Sequence, residues 1–349
     1  NMSTLNCPEE VKLAEKLIEI NPWADMVRFA RSGGEANAIA IRIARAASQK
    51  DNVAICGYHG WHDWYLSTNL SSKENLEEHL LPGLDTAGVP SSLKGTTFPF
   101  VYNDFEGLEC LVKNENIGTI KMEVQRNKKP KENFLEKVRK LATDNNIVLI
   151  FDECTSGFRE TFGGLHQKYK VEPDIAMFGK ALGNGYAITA TVGRKEVMEA
   201  AQKSFISSTF WTERIGPSAA IRTLEVMERE QSWEKISAIG ESIKLKWSEL
   251  ASLYNIDITT SGLKALPSFS FNSKNNLAYK TLVTQEMLKR GYLASNLIYV
   301  SIVHTPEVVE KYFDVLDSIF KKIKECEEGV NILDMLEGPI CHSGFSRLN

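Results

Sequence analysis

The sequence predicts an α/β protein in which helices cover both faces of a mostly parallel β-sheet, followed by a smaller α+β domain. Segments with apolar residues at helical spacing alternate with short unbroken apolar runs. Such runs are typical of strands buried on both faces, and their alternation with helices is typical of parallel sheets. The pattern changes after about residue 230, where long amphipathic stretches begin. We therefore predict a large domain at 1–230 and a small domain at 231–349.

The large domain is predicted to alternate between helices and strands. Apolar residues at every third or fourth position over 36–47 predict a first helix. A second helical pattern covers residues 134–142 and leads directly into a predicted strand at 147–151. Further short strands are predicted at 174–178 and 187–192.

The small domain is predicted to combine helices with a strand. Residues 232–254 form one long amphipathic pattern, and apolar residues recur at helical spacing from Tyr312. Between these two segments, Leu266, Phe269 and Phe271 lie in a strand-like run.

Composition and charge exclude several classes of protein. Hydrophobic residues make up 43% and charged residues 25% of the chain, which is the balance of globular proteins. The formal net charge of -4 leaves no basic excess for a nucleic-acid surface. No apolar run approaches the ~18 residues that a membrane span requires.

The cysteines and the start of the sequence predict a cytoplasmic protein. Six cysteines are present and none forms a CxxC pair, which argues against a zinc or disulfide framework. Residues 1–10 lack the basic region and apolar stretch of a signal peptide. We therefore expect reduced thiols, no metal and a cytoplasmic location.

A serine and two glycines, Ser32, Gly33 and Gly34, directly precede the first predicted helix. Helix N-termini present free N–H groups and a partial positive charge, and glycines let the backbone approach an anion closely. This motif predicts phosphate binding, and a simple helix cap is the alternative.

A dense cluster of aromatic and imidazole side chains occupies residues 57–64. Tyr58 is suited to stack on a flat cofactor or substrate. His59 and His62 have HxxH spacing but lack the glutamate of the zinc motif HExxH, so metal binding is the weaker interpretation. Packing of these rings on the protein core is the remaining alternative.

An acid pair and a lysine follow two of the predicted strands. Asp152 and Glu153 come after the strand at 147–151, at the sheet edge where α/β proteins bind ligands. Burial of two acids is costly without partners, so we expect one of them to meet a cation. Lys180 follows the strand at 174–178 in a glycine-rich, apolar turn, and a desolvated lysine there would be a nucleophile towards carbonyl groups. A solvated acid and an ordinary surface lysine are the alternatives.

These features together predict one cofactor site. An anion seat, a stacking ring, an acid for a ring nitrogen and a lysine amine are the set that pyridoxal phosphate requires. An acid beside the ring nitrogen keeps that nitrogen protonated, which lets the ring accept electrons.

The order of the motifs resembles class III pyridoxal-phosphate-dependent aminotransferases, especially the glutamate-1-semialdehyde 2,1-aminomutase branch. That family reads SGTEA, then YHG, then a strand ending in DE, and then a GK lysine. The matching segments here are 32–36 (SGGEA), 58–60 (YHG), 151–153 (FDE) with 156–159 (SGFR), and 179–180 (GK). The resemblance implies a fold-type I architecture and a homodimer with shared active sites.

The resemblance also implies roles for individual residues. Lys180 would hold the cofactor as a Schiff base, Asp152 would pair with the pyridine nitrogen, and Tyr58 would stack on the ring. Phosphate and other cofactor contacts are implied for Ser32, Gly33, Gly34, His59 and Glu123. Thr209, in the hydroxyl-rich run 207–210, would reach the phosphate of the neighbouring subunit, and a capping loop within its own subunit is the alternative.

The sequence departs from the family pattern at four places. Gly34 stands where threonine is usual, which removes one hydroxyl from the phosphate seat. Val124 stands where proline is common, and 211–214 (WTER) replaces the usual Ser-Gly-Asn-Pro run. The tens of residues that the family places before the position of Pro8 are absent from this sequence, and in the family they supply substrate contacts and dimer surface.

The leading functional prediction is transfer of an amino group between an amine or amino acid and a carbonyl compound. An intramolecular 2,1-aminomutase is the alternative among enzymes, and a non-catalytic pyridoxal-phosphate-binding protein is the alternative from another class. A nicotinamide dehydrogenase is disfavoured because no GxGxxG follows an early strand. The expected partners are small amines and carbonyl compounds, with neither nucleic acid nor membrane.

Overall fold

The computed structural model describes residues 5–77, 79, 82–131 and 133–344. The first four residues of the opening segment and the last five of the predicted small domain lie outside these ranges. Among the helices of these ranges, none combines the length and the apolar composition that a membrane span requires.

The described chain separates into two compact units. The large unit comprises the chain up to Gln125 together with Lys129–Glu230, and the small unit comprises Arg126–Lys128 together with the chain from Gln231 onward. The strands of the large unit are β1 (Met26–Ala30), β2 (Asn52–Cys56), β3 (Thr97–Pro99), β4 (Ile117–Met122), β5 (Val148–Asp152), β6 (Ile175–Phe178) and β7 (Thr189–Gly193). Its helices are α1 (Pro8–Ile20), α2 (Gly33–Ser48), α3 (Asp63–Leu66), α4 (Phe105–Asn114), α5 (Phe134–Asp144), α6 (His166–Tyr169), α7 (Lys195–Met198) and α8 (Ile215–Glu230).

The seven strands form one sheet with the order β1-β7-β6-β5-β4-β2-β3. Strands β2 to β6 pair in parallel, while β7 is antiparallel to both β6 and β1. β1 therefore points in the same direction as β2 to β6, and β7 alone is reversed. The prediction of a mostly parallel sheet is confirmed.

Helices cover both faces of this sheet. On one face, Ile39 and Ile43 of α2 share a buried cluster with Ile55 and Ile150. On the other face, α1 and α8 share a cluster with β6 and β7 that includes Leu17. This layered core is the arrangement that buried strands in a parallel sheet require.

The predicted elements of the large domain are present, with shifted ends. The helix predicted from residue 36 is α2. It begins earlier, at Gly33, because Ser32 caps its N-terminus. The strand predicted at 147–151 is β5, which lies one residue later at both ends, so Asp152 is its last residue.

The described part of the small unit contains a two-stranded antiparallel sheet and three α-helices. Phe269 lies at the centre of its core, where its ring centroid is 4.8 Å from that of Trp247 and 6.2 Å from that of Phe320. The predicted long helix and the predicted strand are confirmed, while the last helix begins before Tyr312. The elements are α9 (Ser232–Leu253), β8 (Ile258–Ser261), β9 (Ser268–Phe271), α10 (Asn276–Lys289) and α11 (Pro306–Glu327).

Candidate active site

The topology of the sheet gathers the predicted site residues at one edge. Because β1, β2, β4, β5 and β6 run in the same direction, their carboxyl ends lie at the same edge. The residues that follow or close these five strands are, in turn, Ser32, Tyr58, Glu123, Asp152 and Lys180. Parallel topology therefore brings distant parts of the sequence to one place.

The N-terminus of α2 has both a cap and outward-facing N–H groups. Ser32 Oγ accepts from the Glu35 N–H at 3.3 Å, and the Glu35 carboxylate accepts from the Ser32 N–H at 3.0 Å. The first backbone bond of the helix runs from the Ala36 N–H to Ser32 O, at 3.1 Å. The N–H groups of Gly33 and Gly34 therefore lie outside the helical ladder, so the cap leaves room for an anion.

His62 lies directly against Gly34. A Cβ atom added at Gly34 would be 3.0 Å from His62 Nε2 and 3.3 Å from its Cδ2, whereas one added at Gly33 would meet nothing within 4 Å. The imidazole of His62 thus fills space that a threonine side chain at position 34 would need.

The described residues hold no group of three or more His, Cys, Asp or Glu side chains that could bind a metal ion.

His59 and Asp152 form a buried hydrogen bond, with His59 Nδ1 2.9 Å from Asp152 Oδ2. The other carboxylate oxygen accepts from the Cys154 N–H at 3.1 Å. Burial and the positive charge of Lys121 lower the pKa of His59 to about 4. His59 is therefore neutral, and its Nδ1–H donates to the carboxylate. Its ring stacks on Trp64, with centroids 6.3 Å apart.

Tyr58 is only half-buried, unlike its neighbour His59. Its ring meets Tyr65 edge-on, with centroids 6.0 Å apart. The Tyr65 hydroxyl donates to Gly57 O at 3.0 Å and so fixes the loop after β2. Tyr58 thus packs against the loop through one edge and remains partly exposed at the edge of the sheet.

A cation that the sequence analysis did not single out lies beside Asp152. Lys121, in β4, is fully buried, and its Nζ is 3.7 Å from Asp152 Oδ2. Burial alone would raise the pKa of Asp152, but the Lys121 ammonium and the His59 N–H hold it well below its usual range. The expectation that one of the two acids meets a cation is confirmed.

The second acid, Glu153, is buried in a network of its own. Trp23 Nε1 donates to His166 Nε2 at 3.0 Å, so the His166 proton lies on Nδ1. That Nδ1 donates to Glu153 Oε1 at 2.9 Å, and the Ser156 hydroxyl donates to the other carboxylate oxygen. The network fixes the chain immediately after Asp152.

Lys180 begins a short 3₁₀ turn, Lys180–Leu182, at the end of β6. Its Nζ lies 2.6 Å from Thr155 Oγ1. The residue is exposed, so the predicted desolvation is not seen in this chain. The reason is that Ala181 and Leu182 fill the core beneath the turn, while the lysine extends over the sheet edge.

Glu123 is buried against the end of β2. A Cβ atom at Gly57 would lie 2.8 Å from Glu123 Oε2, and Gly57 has a φ of +115°. The glycine therefore lets the acid approach the backbone and allows the chain to turn towards Tyr58.

Thr209 opens a short 3₁₀ turn, Thr209–Thr212, and is exposed. This turn is joined to the residue before Ser32, since the Arg31 guanidinium donates to Trp211 O at 2.7 Å. Arg31 also pairs with Glu213 at 3.0 Å. The altered segment at 211–214 is therefore anchored beside the α2 N-terminus.

Comparison with known proteins identifies the family of this chain. The family model for class-III aminotransferases matches residues 1–311. The chain belongs to the class-III aminotransferase family.

Curated relatives of this class-III chain include aminotransferases and aminomutases. It is 34% identical over 285 residues to the 3-aminobutyryl-CoA aminotransferase of Cloacimonas acidaminovorans, a match that covers 78% of this chain and 64% of that protein. It is also 34% identical over 274 residues to the glutamate-1-semialdehyde 2,1-aminomutase of Methanobrevibacter smithii, covering 75% of this chain and 63% of that protein. The chain thus spans less than two thirds of the length of these two relatives.

A solved structure shows the same fold. The FumI protein of Sphingopyxis sp. MTA144 superposes with a TM-score of 0.83, at 21% identity, over 95% of this chain and 79% of that one. The predicted fold-type I architecture is confirmed.

Sequence reasoning missed two features of this candidate site. The single charged residue in the run of β4 was a usable signal for Lys121, because a charge in a strand buried on both faces needs a partner. The contact between His62 and Gly34 had no such signal, since it depends on how the loop after β2 folds back on α2.

Proposed function

We propose that the protein is a pyridoxal-phosphate-dependent enzyme that transfers an amino group between an amine or amino acid and a carbonyl compound. The arrangement that carries the proposal is a lysine, a buried acid and a helix N-terminus at one sheet edge, at Lys180, Asp152 and Ser32. Membership of the class-III aminotransferase family supports the same chemistry.

The residues at this edge fit such a cofactor. The α2 N-terminus presents N–H groups and a glycine pair with open space beside Gly33, which suits a phosphate dianion. Asp152 is held ionised and closes β5 at the ligand-binding edge, which suits a protonated ring nitrogen. Tyr58 is partly exposed beside them and suits a flat ring.

Lys180, Asp152 and Thr155 would each have a distinct role in amino-group transfer. Pyridoxal phosphate, when bound, supplies an electron-accepting ring that stabilises negative charge at the substrate carbon. The Lys180 amine would hold the group covalently and, once displaced by the incoming amine, would carry a proton to and from the substrate carbon at Nζ. Asp152 would keep the ring nitrogen protonated, and Thr155 would orient the free Lys180 amine through their 2.6 Å contact.

The contact between His62 and Gly34 makes the phosphate seat sensitive to residue 34. Gly34→Thr, which restores the usual family residue, should weaken pyridoxal phosphate binding by about tenfold, because the new side chain collides with the imidazole. Combining it with His62→Ala should recover most of the loss. Equilibrium titration of the cofactor followed by absorption tests both variants, and a double variant as weak as Gly34→Thr would contradict the steric explanation.

We further propose a homodimer in which Thr209 contacts the phosphate bound by the partner chain. Thr209 is exposed at the start of its turn, and the exposed Phe205 and Phe210 flank it, with 86% and 69% of their surface accessible. Exposed aromatic side chains beside a hydroxyl are suited to a protein interface.

Thr209→Ala should lower cofactor retention by about tenfold while full loading remains possible at high cofactor concentration, since one charge-assisted hydrogen bond is lost. Retention is measured as the cofactor remaining after gel filtration. Ser207→Ala, two residues away, is the matched control and should retain the cofactor normally. Equal behaviour of the two variants would assign Thr209 to a capping loop instead.

An intramolecular 2,1-aminomutase remains the second candidate, because relatives of both kinds match the chain at 34% identity. The two reactions differ in their need for an external amino donor. A loaded enzyme that turns over only when a second carbonyl compound is supplied is a transaminase, whereas turnover of a single substrate identifies a mutase. Absence of turnover with a broad panel of amines, despite cofactor binding, would indicate a non-catalytic binding protein.

We also propose a cytoplasmic location. All six cysteines are free thiols, as expected in a reducing compartment. Thiol labelling of the protein in intact cells and after lysis would show whether they are reduced in place.

A further inference from the structure

The strand β4 carries a lysine whose partners in register on both adjacent strands are apolar. All six residues of Ile117–Met122 are buried, and Lys121 has no exposed surface. It lies between Ile55 of β2 and Ile150 of β5 in the sheet register. An ammonium group in such a place costs several kcal/mol to bury unless a charged partner offsets the loss of water.

Asp152 is that partner. Lys121 Nζ is 3.7 Å from Asp152 Oδ2, the oxygen that also accepts from His59 Nδ1 at 2.9 Å. On its other side the ammonium contacts Met177 Sδ at 3.1 Å, a polarizable but uncharged neighbour. Among the described residues, Asp152 is therefore the acid that forms a salt bridge with Lys121.

The pair changes the electrostatics of the sheet edge. Asp152 presents one negative charge, and a positive charge lies close to the same carboxylate. A nearby cation disfavours protonation of every neighbouring group. A ring nitrogen that meets Asp152 therefore meets a carboxylate whose charge is partly offset, and it binds its proton less tightly than it would beside the acid alone.

We propose that Lys121 is a positioning residue that holds the Asp152 carboxylate ionised and fixed, and that the Lys121–Asp152 pair sets the proton affinity of the bound cofactor. The second half of this inference rests on the proposed function, while the first half concerns the protein alone. Lys121 lies outside the four motif segments that carry the family resemblance.

Other titratable groups act on the same pair. Burial is the largest influence on Lys121 and lowers its pKa, while Asp152, Cys154 and Glu123 oppose that shift. His59 acts on Asp152 through its hydrogen bond, as described above. Substitutions at Lys121 and at Asp152 must therefore be compared, alone and combined, to separate the interaction between these two residues from the effects of their neighbours.

A double-mutant cycle in the cofactor-free protein tests the pair directly. Lys121→Met removes the charge at similar length, and Asp152→Asn removes the acid. Each should raise the unfolding equilibrium constant by about a hundredfold or more, because each leaves a buried charge unpaired. The double variant should be far more stable than the product of the two effects predicts.

Additive effects in that cycle would overturn the pairing. Lys140→Met, at an exposed lysine of α5 that pairs with Asp144, is the matched control and should leave stability nearly unchanged. Should Lys121→Met not fold by itself, recovery of folding by the added Asp152→Asn would support the pair, and continued failure would refute it.

Acid unfolding supplies a second readout without cofactor. Asp152 has a pKa below its unfolded value of 3.8, so its contribution to stability is full above that pH and is lost only as pH falls through the folded pKa. Lys121→Met raises the folded pKa and should move acid unfolding to higher pH. The same substitution in the Asp152→Asn background should not move it, and an equal movement in both backgrounds would contradict the inference.

The consequence for the cofactor is read from its visible absorption. With pyridoxal phosphate bound, Lys121→Met should raise the apparent pKa of the cofactor, read from the change of its visible absorption with pH, by about one unit. That shift is a tenfold change in proton affinity, and Lys140→Met should leave the pKa unchanged. An unchanged value would overturn the second half of the inference. A wild-type protein that shows no bound chromophore would instead refute the proposed function, and the double-mutant cycle would still decide the pair.

Discussion

Lys180→Ala is expected to abolish covalent attachment of pyridoxal phosphate and to lower kcat/KM by at least about a thousandfold. The loss is large because one amine serves two tasks, covalent attachment and proton transfer at the substrate carbon, and general acid–base catalysis alone contributes about 10²–10⁴-fold. The measurements are the visible spectrum of the loaded protein and the steady-state kinetics of amino transfer.

Lys170→Ala is the matched control for this substitution. Both lysines are exposed in the large unit, and both have left-handed backbone conformations, with φ of 43° at Lys180 and 54° at Lys170. Lys170 caps α6, so its replacement should change stability slightly and leave the spectrum intact.

Borohydride reduction followed by peptide mapping locates the attachment directly. The tag is expected on Lys180. Lys121 is the informative alternative, because it lies nearer to Asp152 but is fully buried and presents its amine to the carboxylate rather than to solvent. A tag on Lys121 or on any other lysine would refute the assignment of Lys180.

The fold was predictable where local patterns agree with tertiary burial. Strand β5 is an unbroken apolar run up to its last residue, Asp152, and α2 has a regular apolar face, so both were found with ends shifted by a few residues. The start of α2 was placed late because a Gly-Gly pair is a poor helix signal, and the capping by Ser32 and Glu35 decides the boundary.

Much of the candidate site could be predicted because Ser32, Tyr58, Glu123, Asp152 and Lys180 follow or close a strand. Asp152 and Lys180 are marked by position, since parallel strands deliver their following residues to one edge. The partners of these residues could not be predicted in the same way. Lys121 reaches Asp152 across the sheet, and His62 reaches Gly34 through a loop, so both contacts depend on three-dimensional packing.

The exposure of Lys180 shows the same limit. Glycines and apolar neighbours in sequence suggested a desolvated amine, yet those apolar neighbours point into the core and leave the lysine outside. Burial of a residue is set by which face of the turn it occupies, and the composition of the turn does not contain that information.

Asp152→Asn is expected to lower turnover by at least about a hundredfold, because an amide cannot hold a ring nitrogen protonated and the loss of one preorganised electrostatic contact costs about that much. The structure adds an effect on folding. The substitution leaves the Lys121 ammonium buried beside a neutral group, which should reduce the free energy of unfolding by about 3 kcal/mol or more.

Asp174→Asn separates these two effects. Asp174 precedes β6 at the opposite edge of the sheet, pairs with Arg139 at 2.9 Å and accepts from the Leu149 N–H at 2.7 Å. Its replacement should therefore destabilise the fold but leave the cofactor spectrum and kcat unchanged once the protein is folded.

The combination of Asp152→Asn with Lys121→Met completes the test of Asp152. Removing the unpaired ammonium should restore stability, measured by urea unfolding, without restoring turnover. That separation is expected because stability depends on balancing the buried charges, whereas catalysis depends on a negative charge at the ring nitrogen, which neither substitution supplies. Recovery of turnover together with stability would mean that Asp152 serves the fold and that the proton on the ring nitrogen is held by another group.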